Sequence, residues 1–259
     1  MTLSTQLILK SAVVAAALFV GAAQAGVVRV TEAAFTPQAG LITFSEFALG
    51  TQNPTYLPAN YGGGAGAPTV NFGGFFTGQT AGAANPGACP PGAAVTGCVL
   101  GLPTGPSISL NAASPKTFIT QDGANPSSPV LSGTPIFNGS VSILFDVDLA
   151  GVGLDGGFFD AIGGTAIRAF GRDGTLLGTI ANTGLGIEFL GLVTSDGSNQ
   201  IAGLQFSLVG AEPAGYAIDN LRFGKSGQVI VPGVPEPETY AMMLLGLGAI
   251  GWLARRRMS

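Results

Sequence analysis

The sequence predicts an all-β fold, an antiparallel β-sandwich with long loops rich in glycine and proline. Glycine and proline contribute 42 and 17 of the 259 residues, and both residue types disfavour helix interiors. Along Val141–Leu149 apolar side chains occupy alternate positions, which is the period of a strand with one buried face. Similar segments follow with short turns between them, and this spacing is typical of a sandwich.

The charge balance and the lack of histidine exclude several classes of function. Residues 26–233 carry twelve acidic and six basic side chains, a formal charge of −6, and no basic cluster. Nucleic-acid binding is therefore disfavoured. The sequence has no histidine, which removes Ser-His-Asp and Cys-His catalysis and any histidine-ligated zinc or iron site. We therefore expect a protein that is not an enzyme.

The N-terminal segment has the pattern of a secretory signal peptide. Lys10 precedes an uncharged run over residues 11–25, which ends in the small-residue cleavage pattern Ala23-Gln24-Ala25. We predict a signal peptide at residues 1–25 and a single β-sandwich domain at residues 26–233. A retained membrane anchor is the alternative.

Strand signals are sparse in the first half of the predicted domain. Residues 41–47 predict a first strand, because threonine and aromatic residues alternate there. Residues 50–115 are interrupted by many glycines and prolines, which predicts long loops with two or three short strands. Further turns are predicted at residues 122–123 and 126–129.

Strand signals are dense in the second half of the domain. Residues 166–170 and 175–180 flank Gly171-Arg172-Asp173-Gly174, which predicts a hairpin with a turn glycine at positive φ. Three more strands are predicted at residues 188–194, 201–209 and 216–223.

Both cysteines, Cys89 and Cys98, lie in the segment that is predicted to be exported. Export favours a disulfide, and this bond would close a loop of ten residues. A loop this short is expected to stabilise the fold by about 2–3 kcal/mol. Two free thiols or a metal-binding pair are the alternatives.

The C-terminal segment, residues 234–259, has three parts. Val234-Pro235-Glu236-Pro237 is a polar motif whose prolines exclude a helix interior and a central strand. Residues 239–254 are uncharged and apolar, and as a helix they would reach roughly 24 Å, close to the ~30 Å of a membrane core. Arg255, Arg256 and Arg257 would stop translocation. We predict a C-terminal transmembrane helix, with a buried helix as the alternative.

This ending resembles the PEP-CTERM sorting signal of Gram-negative bacteria, with Pro235-Glu236-Pro237 as the name-giving triplet. The resemblance implies recognition by an exosortase, a membrane protease. It also implies transient residence in the inner membrane, followed by delivery to the cell envelope or extracellular matrix. Proteins with this signal are commonly linked to exopolysaccharide and biofilm production.

A second resemblance covers residues 140–223. A strand is followed in order by the hairpin Phe-Gly-Arg-Asp-Gly-Thr-Leu-Leu-Gly, the segment Phe-Leu-Gly-Leu and the final segment Ala-Ile-Asp-Asn-Leu-Arg-Phe. This order is similar to the jelly-roll bodies often found in PEP-CTERM proteins, which are themselves similar to carbohydrate-binding modules. It implies a jelly-roll-like sandwich.

Two acidic residues continue apolar faces. Glu46 follows Ile42 and Phe44 at period two, and Asp219 alternates with apolar residues in the last predicted strand. A buried carboxylate needs donors or a cation, and adjacent first and last strands would bring these two acids together as oxygen ligands for Ca²⁺. The resemblance to carbohydrate-binding modules also suggests a structural calcium. Hydrogen bonds from loop N–H groups and a solvated strand end are the alternative.

Four further aspartates lie in glycine-rich stretches, where we predict ordinary turns and solvated faces: Asp155, Asp160, Asp173 and Asp196. Aromatic residues among the long loops either cover the sandwich or stack on sugar rings. They are Tyr56, Tyr61, Phe72, Phe75 and Phe76.

We therefore expect an exported, non-catalytic envelope or matrix protein that is sorted by an exosortase and associated with exopolysaccharide. A dedicated carbohydrate-binding module is the first alternative. A carboxylate-dependent glycan hydrolase is the second, although no motif nominates a catalytic pair.

Overall fold

The computed structural model describes residues 26–213 and 215–233. In this part of the chain the fold is an antiparallel β-sandwich, so the predicted fold class is confirmed. The strands, numbered in chain order, are β1 Val27–Val30, β2 Gly40–Ile42, β3 Thr55–Tyr56, β4 Val70–Gly73, β5 Thr80–Ala81, β6 Val99–Leu100, β7 Phe118–Asp122, β8 Asn125–Ser132, β9 Val141–Leu149, β10 Gly151–Phe159, β11 Thr165–Phe170, β12 Leu176–Ala181, β13 Gly186–Thr194, β14 Ile201–Leu208 and β15 Ala217–Gly224. Short 3-10 helices lie between the early strands at Glu32–Ala34, Pro58–Tyr61, Gly82–Ala84 and Pro86–Ala88.

The strands form two large sheets and a small ribbon. The seven-stranded sheet has the order β1-β13-β10-β15-β8-β7, with β2 also paired to β15. The six-stranded sheet has the order β12-β11-β14-β9-β4-β3, and β5 pairs with β6 in the ribbon. The predicted pairing of an early strand with the last one is present, because Ile42 is opposite Leu221.

The main core lies between the two large sheets. Phe145 of β9 contacts Phe223 of β15, with ring centroids 5.7 Å apart, and Phe206 contacts Tyr216 edge to face at 4.9 Å. Each of these side chains is almost completely buried, and burial of such a side chain stabilises a fold by about 1.5–3 kcal/mol. The aromatic pairs therefore join strands from both sheets.

The outer face of the six-stranded sheet is covered by residues 74–115, which we call the covering segment. Phe76 of this segment packs against Phe170 of β11, with ring centroids 5.7 Å apart. Beside them Gln205 Nε2 donates to Gln79 Oε1 at 2.8 Å. Arg168 donates to Gln205 and to Val99 O. Apolar and polar contacts together hold the covering segment on the sheet.

Among the described residues, an apolar cluster covers one end of the outer face of the seven-stranded sheet. There Phe35, Val193 and Val229 form a small apolar cluster outside β10 and β13. The middle of the face is crossed by the ring of Phe189, since a Cβ placed on Gly153 would lie 2.4 Å from it. The other end of β10 and β15 carries polar side chains.

The strand predictions for the second half of the domain are confirmed. The bounds of β9 agree with the predicted strand, and β11 and β12 form the predicted hairpin, with Gly174 at φ +82°. The strands β13, β14 and β15 lie within two residues of the predicted bounds.

Three expectations for the chain were wrong. The strand predicted at residues 41–47 ends at Ile42, because Phe44 takes a positive φ of 59° and turns the chain. The turn predicted at residues 126–129 is part of β8, which pairs with β15 at Leu131 and leaves the β15 side of its two prolines unpaired, so that their missing N–H groups cost little. The glycine-rich stretch that contains Asp155 is the central strand β10 and not a turn.

Candidate functional site

Two aspartates face each other on the outer face of the seven-stranded sheet. Asp155 of β10 is the cross-strand partner of Asp219 of β15. Their chain neighbours Leu154 and Ile218 lie in the main core. Because successive side chains of a strand point to opposite faces, the two carboxylates lie on the outer face, side by side.

A bulge in β15 places an amide beside this pair. The register shifts between Gly153 and Asp155 of β10, and Asn220 takes a φ of +46°, which asparagine tolerates better than most residues. Asn220 Nδ2 donates to Asp155 Oδ2 at 2.8 Å, and its backbone N–H donates to Asp219 Oδ1 at 2.7 Å. One residue therefore donates to both carboxylates.

The neighbouring strand β8 supplies a second amide. Asn125 Nδ2 donates to Asp219 Oδ2 at 2.9 Å. Asp219 is only 4% exposed, so these donors replace water that the carboxylate would otherwise bind. The surrounding cavity has a volume of about 170 Å³, and no basic side chain of the described residues lines it. We call it the acidic groove, defined by Asp122, Asn125, Asp155, Asp219 and Asn220.

The electrostatics of the acidic groove favour protonation. Burial raises the pKa of Asp219, and the facing Asp155 raises it further, against the lowering effect of the hydrogen bonds from Asn220 and Asn125. Burial also raises the pKa of Asp155, which the Asn220 amide and Arg222 counteract in part and Glu32 reinforces. Both carboxyls therefore ionise less readily than an exposed aspartate.

Glu46 lies in a different environment from Asp219. Its Oε1 accepts from the backbone N–H and the hydroxyl of Thr43, both at 3.0 Å. Its Oε2 and the hydroxyl of Tyr56 are both buried, and neither has a partner in hydrogen-bonding geometry among the described residues. Burial raises the pKa of the Tyr56 hydroxyl, and the charge of the neighbouring Glu46 carboxylate raises it further.

The structure gives Glu46 and Asp219 separate hydrogen-bond partners within the described residues. The cross-strand partner of Asp219 is Asp155, which the sequence pattern assigned to a turn. Among residues 26–213 and 215–233 no group of three or more acidic, cysteine or histidine side chains is placed to hold a metal ion. Calcium between Glu46 and Asp219 remains a prediction.

The predicted disulfide joins Cys89 to Cys98, with Cα atoms 6.0 Å apart. It closes a loop within the covering segment, between β5 and β6. This loop contacts the body at Gly97, whose carbonyl accepts from Tyr216 Oη at 3.5 Å and from Leu208 N at 3.0 Å. These two hydrogen bonds hold the loop against the end of the sandwich, whereas the disulfide closes the loop on itself.

The aromatic residues singled out in the loops mostly cover the sandwich. Tyr56, Phe72, Phe75 and Phe76 are buried, so the hypothesis that they stack on sugar rings is wrong. Tyr61 is half-buried and packs edge to face on Phe223. Phe158 of β10, in the seven-stranded sheet, has a ring that is 47% exposed, and no sequence pattern indicated it.

Residues 233–257 match the family model described as the PEP-CTERM protein-sorting motif. The chain carries a PEP-CTERM sorting signal. This motif implies processing by an exosortase and an exported protein that passes through a membrane, as the resemblance predicted. A comparison of the chain with curated proteins finds no match.

The parts of the PEP-CTERM signal lie outside the described residues. These parts are the motif Val234, Pro235, Glu236 and Pro237, the predicted transmembrane helix at 239–254, and Arg255, Arg256 and Arg257. The predicted signal peptide at residues 1–25 also lies outside. From residue 26 to 213 and from 215 to 233, no helix is both long and apolar enough to cross a membrane.

Proposed function

We propose that this protein is a non-catalytic component of the cell envelope or extracellular matrix that associates with exopolysaccharide after an exosortase has processed its tail. The match of residues 233–257 to the PEP-CTERM sorting motif carries this proposal. The sandwich domain is then the part of the chain that is delivered. Its negative formal charge and lack of histidine support a binding role over nucleic-acid recognition or histidine-dependent catalysis.

The carboxylate pair is the feature that a glycan hydrolase would use. A hydrolase places its two carboxyl groups on either side of the glycosidic bond. Asp155 and Asp219 are cross-strand neighbours on one face of a sheet, and both accept hydrogen bonds from Asn220. This arrangement supports a site that holds a ligand from one side. An increase in reducing ends when the protein is incubated with polysaccharide, lost in Asp155→Asn, would contradict the non-catalytic proposal.

The test of sorting uses variants of the tail in a host that has the cognate exosortase. Pro235→Ala and Glu236→Ala should be exported but keep the C-terminal segment, because the extended motif is the recognised element. Glu238→Ala is the matched control, since it removes a carboxylate outside the Pro-Glu-Pro triplet and should mature normally. Intact mass and cell fractionation report the outcome, and wild-type matrix protein should begin at Gly26.

Replacing Arg255, Arg256 and Arg257 with asparagine should have a different effect. Without the positive charges the apolar run is expected to pass through the membrane, so the variant should be found outside the cell without processing. If all these variants mature like the wild type, or if matrix-bound wild type keeps Ser259, the tail is a plain anchor and the sorting part of the proposal fails.

Structural calcium is a separate proposal. Within the described part of the chain the buried Oε2 of Glu46 has no partner in hydrogen-bonding geometry, which supports a cation near this residue. A cation that binds only the folded protein stabilises it by about 2.7 kcal/mol at a hundredfold excess over Kd. Calcium should therefore raise the melting temperature, and both Glu46→Gln and Asp219→Asn should reduce this rise. Equal melting in calcium and in EDTA would exclude the proposal.

A further inference from the structure

We propose that the acidic groove binds a neutral, hydroxyl-rich saccharide, with Phe158 as a stacking platform at its rim. This inference rests on the proposed association with exopolysaccharide, and it names the part of the domain that makes the contact. The aromatic residues of the long loops are mostly buried, so the stacking surface of this proposal is the exposed ring of Phe158, which lies next to a set of hydrogen-bonding groups.

The shape of the surface supports a groove that is longer than a single pocket. The cavity of about 170 Å³ around Asp155 and Asp219 adjoins a second cavity of about 60 Å³ beside Phe158 and Tyr216. Asp122 and Gly157 line both cavities. A chain of sugar rings could therefore lie along the end of β10, with one ring at the carboxylates and the next at Phe158.

The polar side of the groove offers acceptors that sugar hydroxyl groups can use. Among the described residues, the Asp155 side chain accepts one hydrogen bond, from Asn220, so its other oxygen has acceptor capacity left. The Asn125 and Asn220 side chains contribute amide oxygens beside the carboxylates. A ligand hydroxyl that donates to Asp155 would take the place of a water molecule and keep the charge-assisted hydrogen bond to the carboxylate.

The charge of the groove selects against anionic sugars. Asp122, Asp155 and Asp219 line it, and no basic side chain of the described lining offsets them. Arg222, which lies close enough to lower the pKa of Asp155, forms an ion pair with Glu32. A uronic acid would place a like charge beside the carboxylates, which is unfavourable in a partly buried site. We therefore infer a neutral saccharide.

The apolar rim supplies the surface for stacking. Phe158 is 47% exposed, and the nearby Ile187 and Leu185 are 51% and 61% exposed. The ring of Phe158 lies beside Gly186, where an added Cβ would be 3.6 Å from it. At Gly157 an added Cβ would lie 2.9 Å from the carbonyl oxygen of Gly186, so only glycine allows this close approach of the two strands. An exposed aromatic ring next to convergent polar groups is typical of sites that bind sugar rings.

The experiment measures binding of polysaccharides to the processed protein purified from the envelope of an expressing host. Isothermal titration calorimetry with a neutral glucan, a galactomannan and a polyuronate compares the ligand classes. At least one neutral polymer should bind and the polyuronate should not. Phe158→Ala should weaken this binding about five- to tenfold, as expected for loss of an aromatic contact. Asp155→Asn keeps an acceptor oxygen but removes charge, so it should also reduce the discrimination against the polyuronate.

Leu102→Ala is the matched control, because Leu102 is a similarly exposed apolar residue, at 51%, in the covering segment. It should bind like the wild type, and all variants should melt within a few degrees of it. Equal binding by Phe158→Ala and the wild type would overturn the groove but leave the proposed function standing. Loss of binding in EDTA would overturn direct recognition by the carboxylates and favour a bridging cation. If wild type fails to bind any polymer and is also absent from the polysaccharide fraction of the matrix, the proposed function itself fails.

Discussion

The outer faces of the two sheets are used in different ways. On the six-stranded sheet the covering segment buries Phe170 completely and surrounds Arg168 with the acceptors of Gln205, Ser207 and Val99. On the seven-stranded sheet the end of β10 leaves Phe158 about half exposed and sets Asp155 against another carboxylate. Under the covering segment Gln79, Gln205 and Arg168 Nη2 thus have partners from the protein, and Arg168 Nε alone of these groups has none among the described residues. In the acidic groove the Asp155 carboxylate, which accepts one hydrogen bond from these residues, still has capacity for a ligand.

The largest test of this comparison is a pair of phenylalanine substitutions. Phe170→Ala should reduce the free energy of unfolding by about 3–5 kcal/mol, because it leaves a cavity between β11 and Phe76. Phe158→Ala should change it by about 0.5 kcal/mol or less, as is usual for an exposed side chain. Urea unfolding of both variants, with the disulfide intact, measures the difference. Similar losses at the two positions would show that the exposed ring also has a structural role.

The second test removes the link inside the covering segment. Replacing both Cys89 and Cys98 with alanine should lower the free energy of unfolding by about 2–3 kcal/mol, because the closed loop is short. Hydrogen exchange should become faster in residues 82–101, while β9 and β14 stay protected. Wild-type protein in a reducing agent should behave in the same way. Loss of protection throughout the sandwich would mean that the covering segment is required for the fold.

The sequence predicted strands in which large apolar residues recur at alternate positions. In β9 these residues include Val141, Ile143 and Phe145, and the strand has the predicted bounds. The turn at Gly174 and the disulfide also followed from local rules, since each depends on a few neighbouring residues. The PEP-CTERM signal was identified for a similar reason, because its parts are consecutive in the chain.

The acidic groove could not be predicted in this way. In β10 glycines stand at positions where apolar side chains would otherwise show the period of a strand. Side chains of the neighbouring strands fill the space above these glycines, as Phe189 does above Gly153. Asp155 therefore had the local pattern of a turn residue. The pairing of Asp155 with Asp219 depends on two strands that are more than sixty residues apart and on the bulge at Asn220. Sequence periodicity alone does not reveal such a register.

The smallest expected effect is a change in the pH dependence of stability. The pKa values of Asp155 and Asp219 are raised in the folded protein, mainly by burial. A raised carboxyl pKa contributes stability that is fully present below the unfolded pKa of about 4 and is lost as pH rises through the folded pKa.

Glu188 is the opposite case. Desolvation by burial raises the pKa of Glu188, but hydrogen bonds from Gly184 and Thr183 and the ion pair with Arg29 outweigh it, so the pKa is lowered overall. The contribution of Glu188 to the free energy of unfolding is therefore present at neutral pH and is lost as pH falls through its folded pKa.

Two neutral variants separate these contributions. Asp155→Asn keeps an acceptor for Asn220 and removes one of two facing charges, so it should melt at a slightly higher temperature than the wild type at pH 7. Below about pH 4, where the wild-type carboxyls are protonated, this advantage should disappear. Glu188→Gln should instead melt lower than the wild type at pH 7, and this deficit should shrink in acid, because the wild type then also loses its ionised carboxylate. The measurement is the melting temperature of the three proteins from pH 3 to pH 8. If the curve of Asp155→Asn runs parallel to that of the wild type, the facing carboxylates do not repel each other, and the contrast between the two outer faces does not extend to their charges.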